Sequence, residues 1–251
     1  MEPQVYARMG AVEDRHWWFV GRRRIVSEVI ARLARLPGPA RLLEAGCGTG
    51  GNLQMLSRFG AVSAFEPDQS ARATAAARGL HDIRDGRLPD GIPFSEDRFD
   101  LAVMLDVLEH LDDDVAALKA LSGQLTDEGH VLITVPAYQF LWSHHDKARH
   151  HKRRYTRTQL LTAARAAGLE PVFVSYANTL LFPAVVLLRL LGKITGSTHD
   201  DDQLPGRAMN AILRGIFSFE RHLLGRLPMP FGVSLVMLAR PPRGIANGES
   251  R

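Results

Sequence analysis

The chain has little cysteine, no long apolar run, no internal repeat and no strong surplus of either charge. Its 251 residues hold a single cysteine, Cys47. That excludes an internal disulfide and any cysteine-rich zinc site. Cys47 lies among glycines and reads as a small packed residue, not a nucleophile. No stretch reaches the roughly 20 apolar residues that span a bilayer. The longest candidate, residues 180–191, is interrupted by Pro183 and Arg189. The polar start has no apolar leader segment, so a cytoplasmic protein is expected. The absence of repeats argues against a solenoid. Lys and Arg outnumber Asp and Glu only 31 to 27. The excess is clustered, however, at Arg22-Arg23-Arg24 and at residues 149–154 (Arg-His-His-Lys-Arg-Arg). An anionic surface, a phosphorylated substrate, nucleic acid or a solvated helix face each suits such clusters.

What is present is an ordered alternation of patterns. Residues 1–36 read as an N-terminal helical cap, with Ile25, Val29, Ile30, Leu33 and Leu36 at helical spacing behind the aromatic run His16-Trp17-Trp18-Phe19. Pro37-Gly38-Pro39 stops it. Strands are expected at 41–45, 61–66, 81–84, 99–104, 130–135 and 171–177, and helices at 51–59, 69–78, 112–123 and 156–167. Such alternation means a parallel sheet with helices on both faces. The core is expected over 37–177, a helical insertion over 178–230, a final strand over 231–241 and a disordered tail over 242–251. In the insertion, residues 180–191 form a lid or a membrane-facing segment, followed by an acidic loop (199–202) and an amphipathic helix near 207–225.

The segment Glu44-Ala45-Gly46-Cys47-Gly48-Thr49-Gly50-Gly51 carries the most information. It follows an apolar strand and precedes a helix, the geometry in which a nucleotide approaches bare backbone N–H groups. Gly46, Gly48 and Gly51 formally satisfy the dinucleotide pattern, with Glu66 about 20 residues on. Glu44 would repel a pyrophosphate and welcome a cation. The motif is similar to motif I of the class I S-adenosylmethionine (SAM)-dependent methyltransferases. Residues 64–68 (Ala-Phe-Glu-Pro-Asp), Asp85-Gly86, the strand 99–105 with its following turn, and residues 129–136 resemble the later motifs in order. The resemblance spans roughly residues 38–177. It implies a Rossmann-like, seven-stranded, mostly parallel α/β sheet and SAM as cofactor. It places Glu44, Gly46, Gly48, Gly50, Glu66, Asp85, Gly86, Leu105 and Asp106 around that cofactor. A nicotinamide enzyme, an RNA or protein methyltransferase using the basic clusters, and a SAM-binding regulator without catalysis stay open as alternatives.

Methyl transfer to a hydroxyl needs a base at the carboxyl ends of the strands. Four of the chain's ten histidines fall in residues 144–151. His145, His151 and the neighbouring Asp146 are the candidate catalytic groups. Trp17, Trp18, Arg22, Tyr138, Arg153, Arg154 and Tyr155 are the candidate acceptor-binding residues. The Leu108-Glu109-His110 turn resembles that of ubiquinone-biosynthesis O-methyltransferases. Asp106, Glu109 and His110 could together ligate Mg or Zn, but acids favoured at a helix N-terminus are the plainer reading, and no metal is assigned. The expected acceptor is a small or lipid-like molecule, methylated on oxygen, with peripheral membrane contact through 178–192. A nucleic-acid partner is not expected, because Val135-Pro136-Ala137-Tyr138 only distantly echoes the Asn/Asp-Pro-Pro-Tyr motif of nucleic-acid methyltransferases. The sequence does not indicate an oligomeric state.

Overall fold

The computed structural model describes residues 3–79, 82–195, 203–224 and 226–242. The expected acidic loop at 199–202 and almost all of the expected tail lie outside them. Seven strands form one sheet: β1 (Ala40–Ala45), β2 (Gly60–Phe65), β3 (Asp82–Arg84), β4 (Phe99–Leu105), β5 (Leu125–Pro136), β6 (Glu170–Ala177) and β7 (Ser234–Arg240). Their spatial order is β3-β2-β1-β4-β5-β7-β6. Strand β7 runs antiparallel between β5 and β6; the other pairings are parallel.

Burial on both faces explains the composition of the central strands. In β4 (Phe-Asp-Leu-Ala-Val-Met-Leu) every residue except Asp100 is buried. A parallel strand covered on both sides reads as such a run, not as an alternation. The helices are α1 (Pro3–Val12), α2 (Trp17–Leu33), α3 (Leu53–Leu56), α4 (Gln69–Ala76), α5 (Asp114–Ser122), α6 (His144–Ala148), α7 (Arg157–Ala166), α8 (Phe182–Thr195) and α9 (Arg207–Phe219). Helices α5 and α7 cover one face through Leu118, Leu121, Leu160 and Ala164. Helices α2, α3 and α9 cover the other through Ile25, Val29, Leu56 and Phe217.

Several boundaries differ from the sequence reading. The N-terminal cap is two helices, because residues 13–16 leave the helix. Glu13 turns inward, and His16 caps α2 by accepting the Trp18 N–H at 3.3 Å. Helix α3 is a single turn, since Gly50 and Gly51 remain in the bend before it. The insertion helices run over 182–195 and 207–219 instead of 180–191 and 207–225. None of the described helices is long and apolar enough to cross a membrane.

The parallel strands bring Ala45, Phe65, Arg84 and Leu105 to one edge of the sheet. The order reverses between β1 and β4, which is where α/β sheets open a crevice for ligands. Helix α9 lies across α2, and Gly21 allows it: a Cβ there would stand 2.3 Å from Cδ1 of Phe217. Trp17 seals the crossing with its ring edge-on to Phe217 at 6.0 Å and its backbone N–H donated to Asn210 Oδ1 at 2.8 Å. Gly21→Val should therefore cost about 1–3 kcal/mol by overpacking, read from urea denaturation. Phe217→Leu in the same chain should recover part of the loss.

Candidate active site

The turn after β1 takes its shape from glycine. Gly46, Gly48 and Gly50 have φ of 70°, 54° and 81°, the left-handed region that residues with a Cβ avoid. Their backbone is sewn to the end of β2. Gly46 and Cys47 donate N–H groups to the Phe65 carbonyl at 2.9 and 3.1 Å. Gly48 donates to Glu66 Oε2 at 2.9 Å. Cys47 is buried, and burial beside Glu44 and Glu66 pushes its thiol far up, so it is no nucleophile.

Two buried carboxylates flank this turn. Glu44 is 1% exposed. Its Oε1 accepts a hydrogen bond from Asn52 Nδ2 at 2.8 Å, and its Oε2 has no hydrogen-bond partner among the described residues. Burial pushes the Glu44 carboxyl up to about 7, with the Asn52 bond pulling the other way. Glu66 Oε1 accepts from the Tyr6 hydroxyl and the Asp68 N–H, both at 3.1 Å. Helix α1 covers the turn: a Cβ on Gly48 would lie 3.2 Å from the Met9 methyl. Glu13, just past α1, accepts from Thr49 Oγ1 at 2.7 Å and pairs with Arg78.

Across the crevice stands Asp106, with φ of 57°, next to buried Leu105. Arg22 pairs with Asp106, reaches Asn52 Oδ1 at 3.3 Å, and lies over the Trp18 ring at 4.8 Å. Asn52 thus bridges Glu44 and Arg22. Asp85 is at the end of β3, exposed and paired with Arg72 at 3.2 Å, and Gly86 comes next, packed against Pro93. Trp17 does not join this group; it faces the insertion.

The segment after β5 forms the other wall. Tyr138 has φ of 58° and stacks on Tyr176 and Phe140, with ring centroids 5.1 and 5.2 Å away. Asp146, fully buried, organises residues 143–154. It accepts from Arg154 Nε at 2.8 Å, Arg154 Nη2 at 3.1 Å, the Ser143 N–H at 2.8 Å and His151 Nδ1 at 2.9 Å. Burial works against its charge, but the His151 bond and the Arg154 guanidinium hold its carboxyl well below the usual range. Arg153 bonds Asp114 Oδ2 at 3.1 Å, and the buried Tyr155 hydroxyl donates to the same oxygen at 2.8 Å. The structure therefore commits Arg153, Arg154 and Tyr155 to bracing this segment. The polar atoms of Arg154 and Tyr155 turn inward, whereas Arg153 stays partly exposed at the rim.

The histidines gather beside the turn Leu108–His110. The His151 ring lies 4.7 Å from that of His110 and 6.3 Å from that of His145. Nδ1 of His151 points to Asp146, and its Nε2 lies 3.9 Å from Glu109 Oε1. Burial pushes His110 down to about 3, with His151 adding to the effect. Burial and Arg149 hold His145 well below the ordinary imidazole range, so it is neutral. Tyr6, Glu13 and Asn52 escaped the sequence reading. Asn52 could have been found as the first polar residue after the glycines; Tyr6 and Glu13 carry no local signal.

Comparison with known proteins places this geometry. A family model described as a methyltransferase domain matches residues 19–174. A search of curated proteins finds no match. Among solved structures, the chain resembles one from the complex between the Haloferax volcanii Trm112 methyltransferase activator and a protein described as a methyltransferase: TM-score 0.60, 21% identity, 95% of each chain covered. It also resembles an S-adenosylmethionine-dependent methyltransferase from Clostridium acetobutylicum, with TM-score 0.55, 12% identity and 87% and 89% of the two chains covered. The cyclase SpnF is a further neighbour, at TM-score 0.56, 22% identity and coverage of 88% and 82%. At such identities these likenesses establish the fold, which also hosts other chemistry. The family match spans more than half of the chain: the protein belongs to the methyltransferase-domain family and is a methyltransferase.

Proposed function

We propose that the protein transfers a methyl group from S-adenosylmethionine, its cofactor, to a hydroxyl of a lipid-like acceptor at an anionic membrane surface. The observation that carries this reading is the exposed apolar face of helix α8 and the aromatic path at its base. Leu187, Leu188 and Ile194 are 58%, 56% and 81% exposed. An exposed apolar patch of this kind marks an interaction site. At about 21 Å long, α8 suits the plane of a membrane interface, not its thickness. Phe182, Pro183, Val186, Leu187, Leu190 and Phe231 line an open apolar groove along it. The Phe182 ring lies 5.8 Å from Tyr138, and Lys193 Nζ donates to the Phe140 carbonyl at 2.7 Å. The helix thereby borders the segment that carries His145. Burial, and then the nearby charges of Arg221 and Arg214, lower the Arg24 guanidinium, so these three arginines form a basic cluster suited to anionic headgroups.

The residues at the glycine turn fit the cofactor. The unpartnered oxygen of buried Glu44 and the glycine backbone suit a cationic amino acid and a nucleoside, and Glu66 at the end of β2 suits ribose hydroxyls. When bound, the cofactor supplies a methyl group on a good leaving group, so positioning and water exclusion account for much of the rate. Asp106 and Arg22 would fix the methionine end. Neutral His145 would accept the acceptor's proton. His151 is not free for that role, since Asp146 holds Nδ1 and Nε2 faces Glu109.

Cofactor affinity should depend on pH through Glu44. Its carboxyl titrates near 7 when folded and near 4.5 when exposed, so the cofactor-free protein holds an extra proton between those values. The ionised form that receives a cation is reached only as pH rises. Affinity should climb about tenfold per unit below 7 and level off above, with proton release seen calorimetrically; Glu44→Gln should flatten the dependence. Sedimentation with vesicles of anionic phospholipid should be lost in Leu187→Asp/Ile194→Asp while cofactor affinity is unchanged. Isotope-labelled methyl transfer into a cell lipid fraction tests the function directly. His145→Ala should slow that transfer by about 10²–10⁴-fold without weakening cofactor binding; full activity would remove His145 as base, and label only in protein or RNA would overturn the lipid reading.

A further inference from the structure

We propose that Glu109, His110 and His151 bind a divalent transition-metal cation at the rim of the crevice. One ligand atom from each lies within 4.8 Å of the others, and no other such group occurs among the described residues. Two of the three come from the turn after β4 and the third from the segment after β5, so the fold assembles the set from distant sequence. The carboxylate is the unusual member. Glu109 is fully buried, and neither oxygen has a hydrogen-bond partner among the described residues. An ionised carboxyl in that position is costly unless a cation meets it.

The surroundings are those of a metal-binding histidine. His151 Nδ1 is bonded to Asp146, which fixes the proton on that nitrogen and leaves the Nε2 lone pair facing Glu109. A carboxylate behind a histidine orients the ring and raises its basicity as a ligand. Asp146 is itself locked by Arg154, so the orientation is rigid. Asp106, which the spacing at 106, 109 and 110 also offered, is taken by Arg22; His151 replaces it. Metal–ligand distances of about 2.0–2.2 Å put ligand atoms roughly 3–4 Å apart, so the set must close by about 1 Å through side-chain rotation. One carboxylate and two imidazoles suit zinc, cobalt, iron or manganese better than magnesium or calcium, which favour oxygen ligands.

Three protein ligands leave coordination positions for water or for an acceptor oxygen. A hydroxyl bound there would become more acidic and give up its proton to a base as weak as His145. That role rests on the function proposed above; cation binding does not. Protein stripped with a chelator should take up one equivalent of Co²⁺ with visible d–d bands, and one of Zn²⁺ by calorimetry. Glu109→Gln and His110→Ala should each weaken binding at least tenfold, and Asp146→Asn by about 10–100-fold, with circular dichroism and cofactor affinity unchanged. Should His110→Ala fail to fold, Glu109→Gln decides, because it keeps the shape and removes the charge. No stoichiometric uptake, or wild-type uptake by Glu109→Gln, overturns the site. Intact uptake with methyl transfer indifferent to Zn²⁺ keeps the site and removes its role toward the acceptor.

Discussion

A carboxylate placed where water cannot reach it is the constraint on which the rest of this structure depends. Glu44 stands at the end of the central strand, buried, with one oxygen held by Asn52 and the other unmatched among the described residues. Its ionised form is penalised by about 3 kcal/mol, the shift from 4.5 to about 7 taken as free energy. The glycines beside it have left-handed backbone, which brings the main chain close enough to use its own N–H groups as walls. A fold optimised for stability alone would have neither. Both make sense if the turn exists to receive a cation joined to a nucleoside.

A second buried carboxylate, Asp146, has the opposite character. Every lone-pair direction that matters is used: a guanidinium, an imidazole and a backbone amide converge on it. Glu44 is poised to titrate near neutrality, whereas Asp146 stays charged throughout the accessible range. The first is a receptor and the second a brace. Through Asp146, the segment after β5 is fixed with little regular secondary structure beyond a 3-10 turn at Gln139–Leu141 and the short helix α6. That is how a stretch of histidines and arginines becomes a defined wall instead of a mobile loop.

The sheet could be read from the sequence because its central strands are buried on both faces and announce themselves as apolar runs between glycine and proline signals. The glycine turn could be read because left-handed backbone demands glycine. The partners of the arginines were hidden for a physical reason. Arg153 and Arg154 lie in a basic run that looks solvated, and only the three-dimensional position of Asp114 and Asp146 shows where their charges go. The break between α1 and α2 was illegible because a buried Glu13, whose partners Thr49 and Arg78 are far along the chain, creates it. The grouping of Glu109 with His151 was hidden for the same reason: 42 positions separate residues whose carboxylate and imidazole end 3.9 Å apart. Local pattern reports periodicity and strain; it does not report which distant charge will complete a pair.

Helix α2 has a mechanical property that neither of its ends reveals alone. Gly21 and Arg22 are consecutive, yet one is pressed against Phe217 of α9 and the other clasps Asp106 at the cofactor crevice. A residue step along one helix thus spans the distance between the greasy insertion and the chemistry. A rigid rod gripped at both sides cannot roll at one without turning the other, so any load taken up by α9 arrives at Asp106 as torque.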